Sequence, residues 1–138
     1  MSRQTTTALF KVFPLLRRAI FEAFDKQDTK LTRTQQIILV TMAGSDSLSM
    51  SELARSINTS NEQATRAISQ LVDIGFVTRS QNEQNHRIVN IDLTEKAEKY
   101  IADVEYDAEN MLYKYVGKEK TKKTMTSLTN ISKCLTEE

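Results

Sequence analysis

Among 138 residues the chain has one cysteine, one histidine, one proline, three glycines and no tryptophan. Cys134 alone excludes an internal disulfide and fits a reducing, cytoplasmic compartment. One histidine and one cysteine cannot build a closed structural zinc site, so no metal or other cofactor is expected. Three glycines leave no glycine-rich phosphate loop. No apolar run is long enough to cross a membrane, and no signal pattern opens the chain, so no membrane partner is expected. A catalytic constellation is missing too. His86 sits in a polar stretch, and Glu95, Glu98, Glu105 and Glu109 recur along one helix as a solvated face does. An enzyme is not expected. Net charge is only +1, with 39% hydrophobic and 27% charged residues, an ordinary soluble balance in a chain long enough for one domain-sized core.

What is present centres on Met50 to Arg79. Leu53, Ala54 and Ile57 are the apolar positions of one short helix. Ala64, Ala67, Ile68, Leu71 and Val72 recur at the spacing of one face of a second. Between them lie Asn58, Thr59 and Ser60, residues whose side chains bond nearby backbone and favour caps and turns. Ser49 with Glu52, Thr59 with Glu62, and Ser60 with Gln63 each fit the capping-box spacing. Gly75 suits the left-handed conformation that ends a helix. These pieces make a helix-turn-helix. The second helix then turns Glu62, Thr65, Arg66, Ser69 and Asp73 outward, with Asn61 and Gln63 in its first turn. Arginine can pair bidentately with guanine, and asparagine or glutamine with adenine, so this face suits a major groove. It also suits plain solvent.

Phe76–Ser80 and Ile88–Leu93 are rich in β-branched and apolar residues, and the wholly polar stretch from Gln81 to Arg87 lies between them. A helix-turn-helix followed by a hairpin is a winged helix. Leu48-Ser49-Met50 is expected to be a short extended segment pairing with that hairpin. At this point the chain resembles the MarR family of bacterial transcription regulators. The resemblance rests on Leu31-Thr32-x-x-Gln35, Ser51-Glu52-Leu53-Ala54, Thr65-Arg66, Leu71-x-x-x-Gly75-Phe76-Val77-x-Arg79, Arg87 and Leu93-Thr94, in that order. It covers roughly Leu31 to Ala97 by motif, while the flanking helices match by pattern alone. One position departs. The family usually has an aspartate two residues before the wing arginine, and here it is Asn85, which accepts a hydrogen bond but brings no charge. That leaves the orientation of Arg87 open.

The resemblance implies a mainly α fold with a small β wing: a winged helix-turn-helix over 31–97, flanked by helical dimerisation regions at 1–28 and 98–138, in a single domain over 1–138. It implies a sequence-specific regulator, most often a repressor, bound as a homodimer to a pseudo-palindromic operator in double-stranded DNA. The expected DNA-binding residues are Ser51, Ser60, Asn61, Glu62, Gln63, Thr65, Arg66, Ser69, Arg79, Asn85, His86 and Arg87. Family members often bind a small aromatic or amphipathic effector between the winged unit and the dimer helices. Phe10, Phe13, Phe21 and Tyr100, with Tyr115, are the candidates to line such a cleft, and core or interface packing is the plainer role for each. Reactive thiols in the family usually lie near the N-terminus, unlike Cys134.

The flanks carry much apolar surface. From Thr7 to Lys26 apolar residues cover well over half the helix circumference, more than a stripe a little over 100° wide requires. Pro14 either kinks that helix or marks its first turn. Thr32 caps a further helix, with Ile37, Ile38, Val40 and Met42 as buried candidates. From Thr94 an apolar face runs from Ala97 to Val116 until Gly117 breaks it. Met125, Leu128, Ile131 and Leu135 then form a last stripe, which begins beside a solvated cluster of Lys118, Lys120, Lys122 and Lys123. Charge weighs the other way. Residues 50–93 carry Arg55, Arg66, Arg79 and Arg87 against five acids, so the winged unit is near neutral. Phosphate neutralisation supplies most non-specific affinity, so weak non-specific binding is expected. A winged-helix module that binds protein rather than DNA is the alternative, although such a face should expose large apolar groups.

Overall fold

The computed structural model describes residues 3–136. The elements run α1 (Arg3–Lys26), α2 (Arg33–Ala43), β1 (Leu48–Ser49), α3 (Met50–Ser56), α4 (Asn61–Asp73), β2 (Val77–Gln81), β3 (Val89–Leu93), α5 (Glu95–Val116) and α6 (Lys118–Thr136). They fall into two compact units. One is Thr29–Asp103; the other comprises the chain up to Asp28 and from Val104 onward.

The first unit is the winged helix. Its helices begin where side chains replace missing backbone partners. Thr32 Oγ1 accepts from the Gln35 amide at 3.3 Å, and Gln35 Oε1 accepts from the Thr32 amide at 2.8 Å. Ser49 and Glu52 repeat the reciprocal pattern at α3. At α4 only half of it forms. Ser60 Oγ accepts from the Gln63 amide at 3.2 Å, while Thr59 turns its hydroxyl to Gln63 Oε1 and makes no box with Glu62. Asn58, at φ 53°, supplies the left-handed residue that reverses the chain between α3 and α4.

Ile38, Leu39, Met42, Leu53, Ala54, Ala64, Ala67, Ile68 and Leu71 are buried, together with Phe76 just before β2 and with Val77 and Ile91 from the sheet. Three expected core positions are not. Ile37, Val40 and Val72 are exposed. At about 100° per residue, the buried positions 35, 36, 38, 39 and 42 of α2 lie on one side, and 37 and 40 fall outside it. Val72 lies at the edge of the corresponding stripe on α4. Gln35, by contrast, is buried, and its Nε2 donates to Gln70 Oε1 at 2.8 Å, joining α2 to α4.

The three strands form an antiparallel sheet in the order β1-β3-β2. β1 is the expected short segment, with Leu48 opposite Ile91, although Met50 already belongs to α3. In the hairpin Val77 faces Leu93 and Arg79 faces Ile91. Gly75, at φ 77°, turns the chain out of α4 into β2. Only the Lys96 side chain lies near where a Cβ would stand there, so the positive φ is what requires glycine. That corner is bonded to the start of α5. Thr94 Oγ1 donates to Gly75 O at 2.6 Å, and Lys96 Nζ donates to Ile74 O at 2.7 Å.

In the other unit, α1 starts at Arg3, ahead of the expected Thr7, and holds Pro14 in its interior rather than its first turn. Ala19, Ala23 and Phe24 are buried, as are Val104 and Leu112 of α5 and Thr121 of α6. Gln27 Nε2 donates to Asp107 Oδ2 at 2.7 Å. Glu22 accepts from Arg18 Nε at 2.9 Å and from the Tyr115 hydroxyl, and the Arg18 guanidinium lies 4.6 Å from the Tyr115 ring centre. The Tyr115 hydroxyl foremost, and then Arg18, hold the Glu22 carboxyl below the usual carboxylate range. Gly117, at φ 85°, separates α5 from α6. On α6, Met125 and Ile131 are exposed, while the side chain of Leu135 lies outside the described residues.

Candidate nucleic-acid interface

Burying Ala64, Ala67, Ile68 and Leu71 leaves the opposite side of α4 to solvent. Asn61, Glu62, Gln63, Thr65, Arg66 and Asp73 are all exposed there, and Ser69 is half-buried. Arg66 NH2 stands 3.4 Å from Glu62 Oε1, one turn back, and both side chains remain mostly in solvent. Ser51 is exposed in the first turn of α3. Beside it the Glu52 carboxyl is held below its ordinary range, chiefly by accepting the Ser49 backbone N–H. Ser60 is exposed, but its hydroxyl oxygen already accepts the Gln63 amide as the cap of α4.

Arg79 belongs to this face in a way that its position in the chain does not announce. Side chains two apart in a strand share a face, so Arg79 follows the buried Val77 toward the helices. Its guanidinium reaches across to α4 and donates to Thr65 O at 3.2 Å and to Ser69 Oγ at 2.5 Å. α4 and β2 are thereby joined through a charged donor. The alternation from Val77 is the one sequence signal for this link; nothing local points to its partners.

The loop between β2 and β3 is ordered by its own asparagines. Asn82 Oδ1 accepts from the amides of Gln84 and Asn85 at 2.9 and 3.2 Å. Asn85 Oδ1 accepts from the Arg87 amide at 3.1 Å, and the Ile88 amide donates to Asn85 O at 2.9 Å. The amide side chain at 85 therefore does hold Arg87, but by its backbone rather than its guanidinium. Arg87 and His86 are exposed at the tip, with His86 Nδ1 3.4 Å from Gln81 Oε1.

Eleven of the twelve residues expected to bind DNA lie on α4, its cap or the β2–β3 hairpin, and Ser51 lies on α3. The five cleft candidates are placed differently. Phe10 and Phe13 stand 71% and 63% exposed on α1. Phe21 is half-buried, with the Arg17 guanidinium 4.8 Å from its ring centre. In the winged unit, Tyr100 packs on Phe76 with centroids 4.9 Å apart and donates to Thr29 O at 3.2 Å. Tyr115 bonds Glu22. Among the described residues no cluster of His, Cys, Asp and Glu is arranged to hold a metal ion, and no helix is long and apolar enough to cross a membrane.

The family model of the MarR family matches residues 31–89. Among curated proteins, the chain is 30% identical over 95 residues to the HTH-type transcriptional regulator YpoP of Bacillus subtilis, covering 69% of this chain and 65% of that one. It is 37% identical over 70 residues to the transcriptional regulator AdcR of Streptococcus pneumoniae, covering 51% of this chain and 47% of that one. The matches thus span about half to just under two thirds of those relatives. Among solved structures, the transcriptional regulator Tm0710 of Thermotoga maritima superposes with a TM-score of 0.73 at 20% identity, over 97% of this chain and 95% of that chain. Reduced AbfR, solved bound to DNA, gives 0.59 at 18% identity over 96% and 91%. At such identities the superpositions establish a shared fold.

Proposed function

We propose that the chain is a MarR-family transcription regulator of the cytoplasm that binds double-stranded DNA sequence-specifically as a homodimer; the match of the MarR family model over residues 31–89 and the similarity to YpoP support this reading. The observation that carries this reading is the outer side of α4. Asn61, Glu62, Gln63, Thr65 and Arg66 are exposed together, and hydrogen-bonding groups dominate that face. Asn61 to Ser69 then enters the major groove. The wing tip at Asn85, His86 and Arg87 reaches the flanking minor groove or its phosphates.

Two copies suit the rest of the chain. Leu9, Phe10 and Phe13 are all more than half exposed on α1, an apolar load that a second copy would cover. A two-fold dimer reads a pseudo-palindromic operator with half-site centres about one helical turn apart, roughly 34–36 Å. A small aromatic or amphipathic effector would regulate it by altering the spacing of the two reading helices.

The test is a gel shift against DNA upstream of the protein's own gene, with a salt titration. Arg55, Arg66, Arg79 and Arg87 are the lysines and arginines of residues 50–93. If these four alone neutralise phosphates, the slope of log K against log salt is about −4 per copy. Specific binding with such a slope supports the proposal. Equal affinity for unrelated DNA at all salts would remove it.

A further inference from the structure

The hydroxyl groups on the reading helix are not free to donate. Thr65 Oγ1 donates to Asn61 O at 2.7 Å, and a carbonyl oxygen can only accept, so the single Thr65 hydroxyl proton is committed inside the helix. Ser69 repeats the arrangement one turn later, donating to Thr65 O at 2.9 Å. Its remaining oxygen capacity is taken up in part by Arg79 NH2, which donates to it at 2.5 Å. The flank of α4 that faces β2 therefore carries no available hydroxyl proton at Thr65 or Ser69. With Oγ1 turned back on the helix, the other group on the Thr65 Cβ is its methyl, and the residue is exposed.

In the major groove an apolar contact of this kind discriminates one base. Thymine alone carries a C5-methyl group, whereas guanine presents only acceptors, which a side chain without a free proton cannot satisfy. We propose that Thr65 is a specificity-determining residue that reads thymine through methyl–methyl contact, and that its hydroxyl makes no hydrogen bond to DNA. This rests on the assignment of α4 as the reading helix. Among the α4 side chains expected to contact DNA, hydrogen-bond donors are left to Arg66 and to the amides of Asn61 and Gln63. Because Thr59 donates to Gln63 Oε1, the NH2 group is the end of the Gln63 amide left to donate.

The experiment starts from sites selected out of random DNA by the wild-type protein. Each thymine of one half-site is then replaced by deoxyuridine, which deletes only the methyl group, and affinity is measured for wild type, Thr65→Val and Thr65→Ser. At one thymine the replacement should weaken wild type about fourfold, the worth of one methyl group. Thr65→Val keeps the methyl and loses the hydroxyl, so it should show the same fourfold discrimination. Thr65→Ser keeps the hydroxyl and loses the methyl, so it should bind both DNAs equally. The opposite pattern, with discrimination kept by Thr65→Ser and lost by Thr65→Val, overturns the inference. So does the absence of any methyl-sensitive thymine in a well-selected site. Failure of wild type to select any sequence would instead remove the reading-helix assignment, and this inference with it.

Discussion

Arg66 faces a choice between Glu62 and DNA, and the magnitudes decide it. The two side chains meet at 3.4 Å and are 70% and 83% exposed. An exposed i,i+4 ion pair contributes about 0.3–0.5 kcal/mol, and salt screens it further. A bidentate arginine–guanine contact discriminates by about 1–3 kcal/mol. On the proposed reading, DNA therefore outcompetes Glu62 for the arginine. Arg66→Ala should weaken the preferred site by about 1–3 kcal/mol and relax preference at one position per half-site. Glu62→Gln should change affinity by no more than about 0.5 kcal/mol. Fluorescence anisotropy on matched and mismatched duplexes, run as a double-mutant cycle, should give a coupling energy within that same small figure. A uniform loss across all sequences would make Arg66 a phosphate contact. Coupling well above about 1 kcal/mol would mean that Glu62 holds the arginine in place, more than a solvent-exposed pair can supply, and would refute the reasoning from exposure.

Other expectations test the wing, the scaffold and the flanking helices. Arg87→Ala should weaken binding to all sequences and make the salt slope shallower by about one unit, measured by anisotropy over a salt series. Ile68 is fully buried behind the reading face, so Ile68→Ala should cost about 2–5 kcal/mol in urea unfolding, with the m-value unchanged. Glu22 has a depressed carboxyl pKa in the folded chain, owing first to Tyr115 and then to Arg18. Its contribution to stability is therefore present above the unfolded carboxylate value of about 4.3 and lost as pH falls through the lower folded value. Glu22→Gln should flatten that acid limb of thermal stability, followed by circular dichroism. Phe13→Asp should shift the sedimentation equilibrium toward monomer while leaving the winged unit folded, because Phe13 is 63% exposed within one chain.

What was legible in the sequence was whatever is written in nearest neighbours along the chain. Thr32 with Gln35 and Ser49 with Glu52 form the reciprocal caps that their spacing implies. The stripe from Ala64 to Leu71 is buried, and Gly75 takes the positive φ expected at the end of α4. Ile37, Val40 and Val72 show where that reasoning stops. Hydrophobic character marks a residue as able to be buried, but the facing elements choose which stripe is covered. The links between elements were harder to read. The bond from Gln35 to Gln70 spans 35 positions, and the Lys96 ammonium reaches Ile74 O from 22 positions away. Neither leaves a local pattern. The same holds at the site, where Arg79 was identifiable as a cation near the wing, but its hold on Thr65 and Ser69 depends on the packing of β2 beside α4. Asn85 is a mixed case. Its ability to accept a hydrogen bond followed from its chemistry, while its choice of the Arg87 backbone followed from the turn.

DNA reading by a dimer of winged units is tested most directly by hydroxyl-radical footprinting of the full-length protein on a selected operator. Two protected patches related by a dyad are expected, their centres about one helical turn, or 34–36 Å, apart. The same experiment with Arg66→Ala and Arg87→Ala assigns the contacts. The first should lose protection in the major-groove half-sites, and the second in the flanks. A single continuous footprint insensitive to sequence, or protection unchanged by both substitutions, would contradict the assignment of α4 and the wing as the DNA-binding surface.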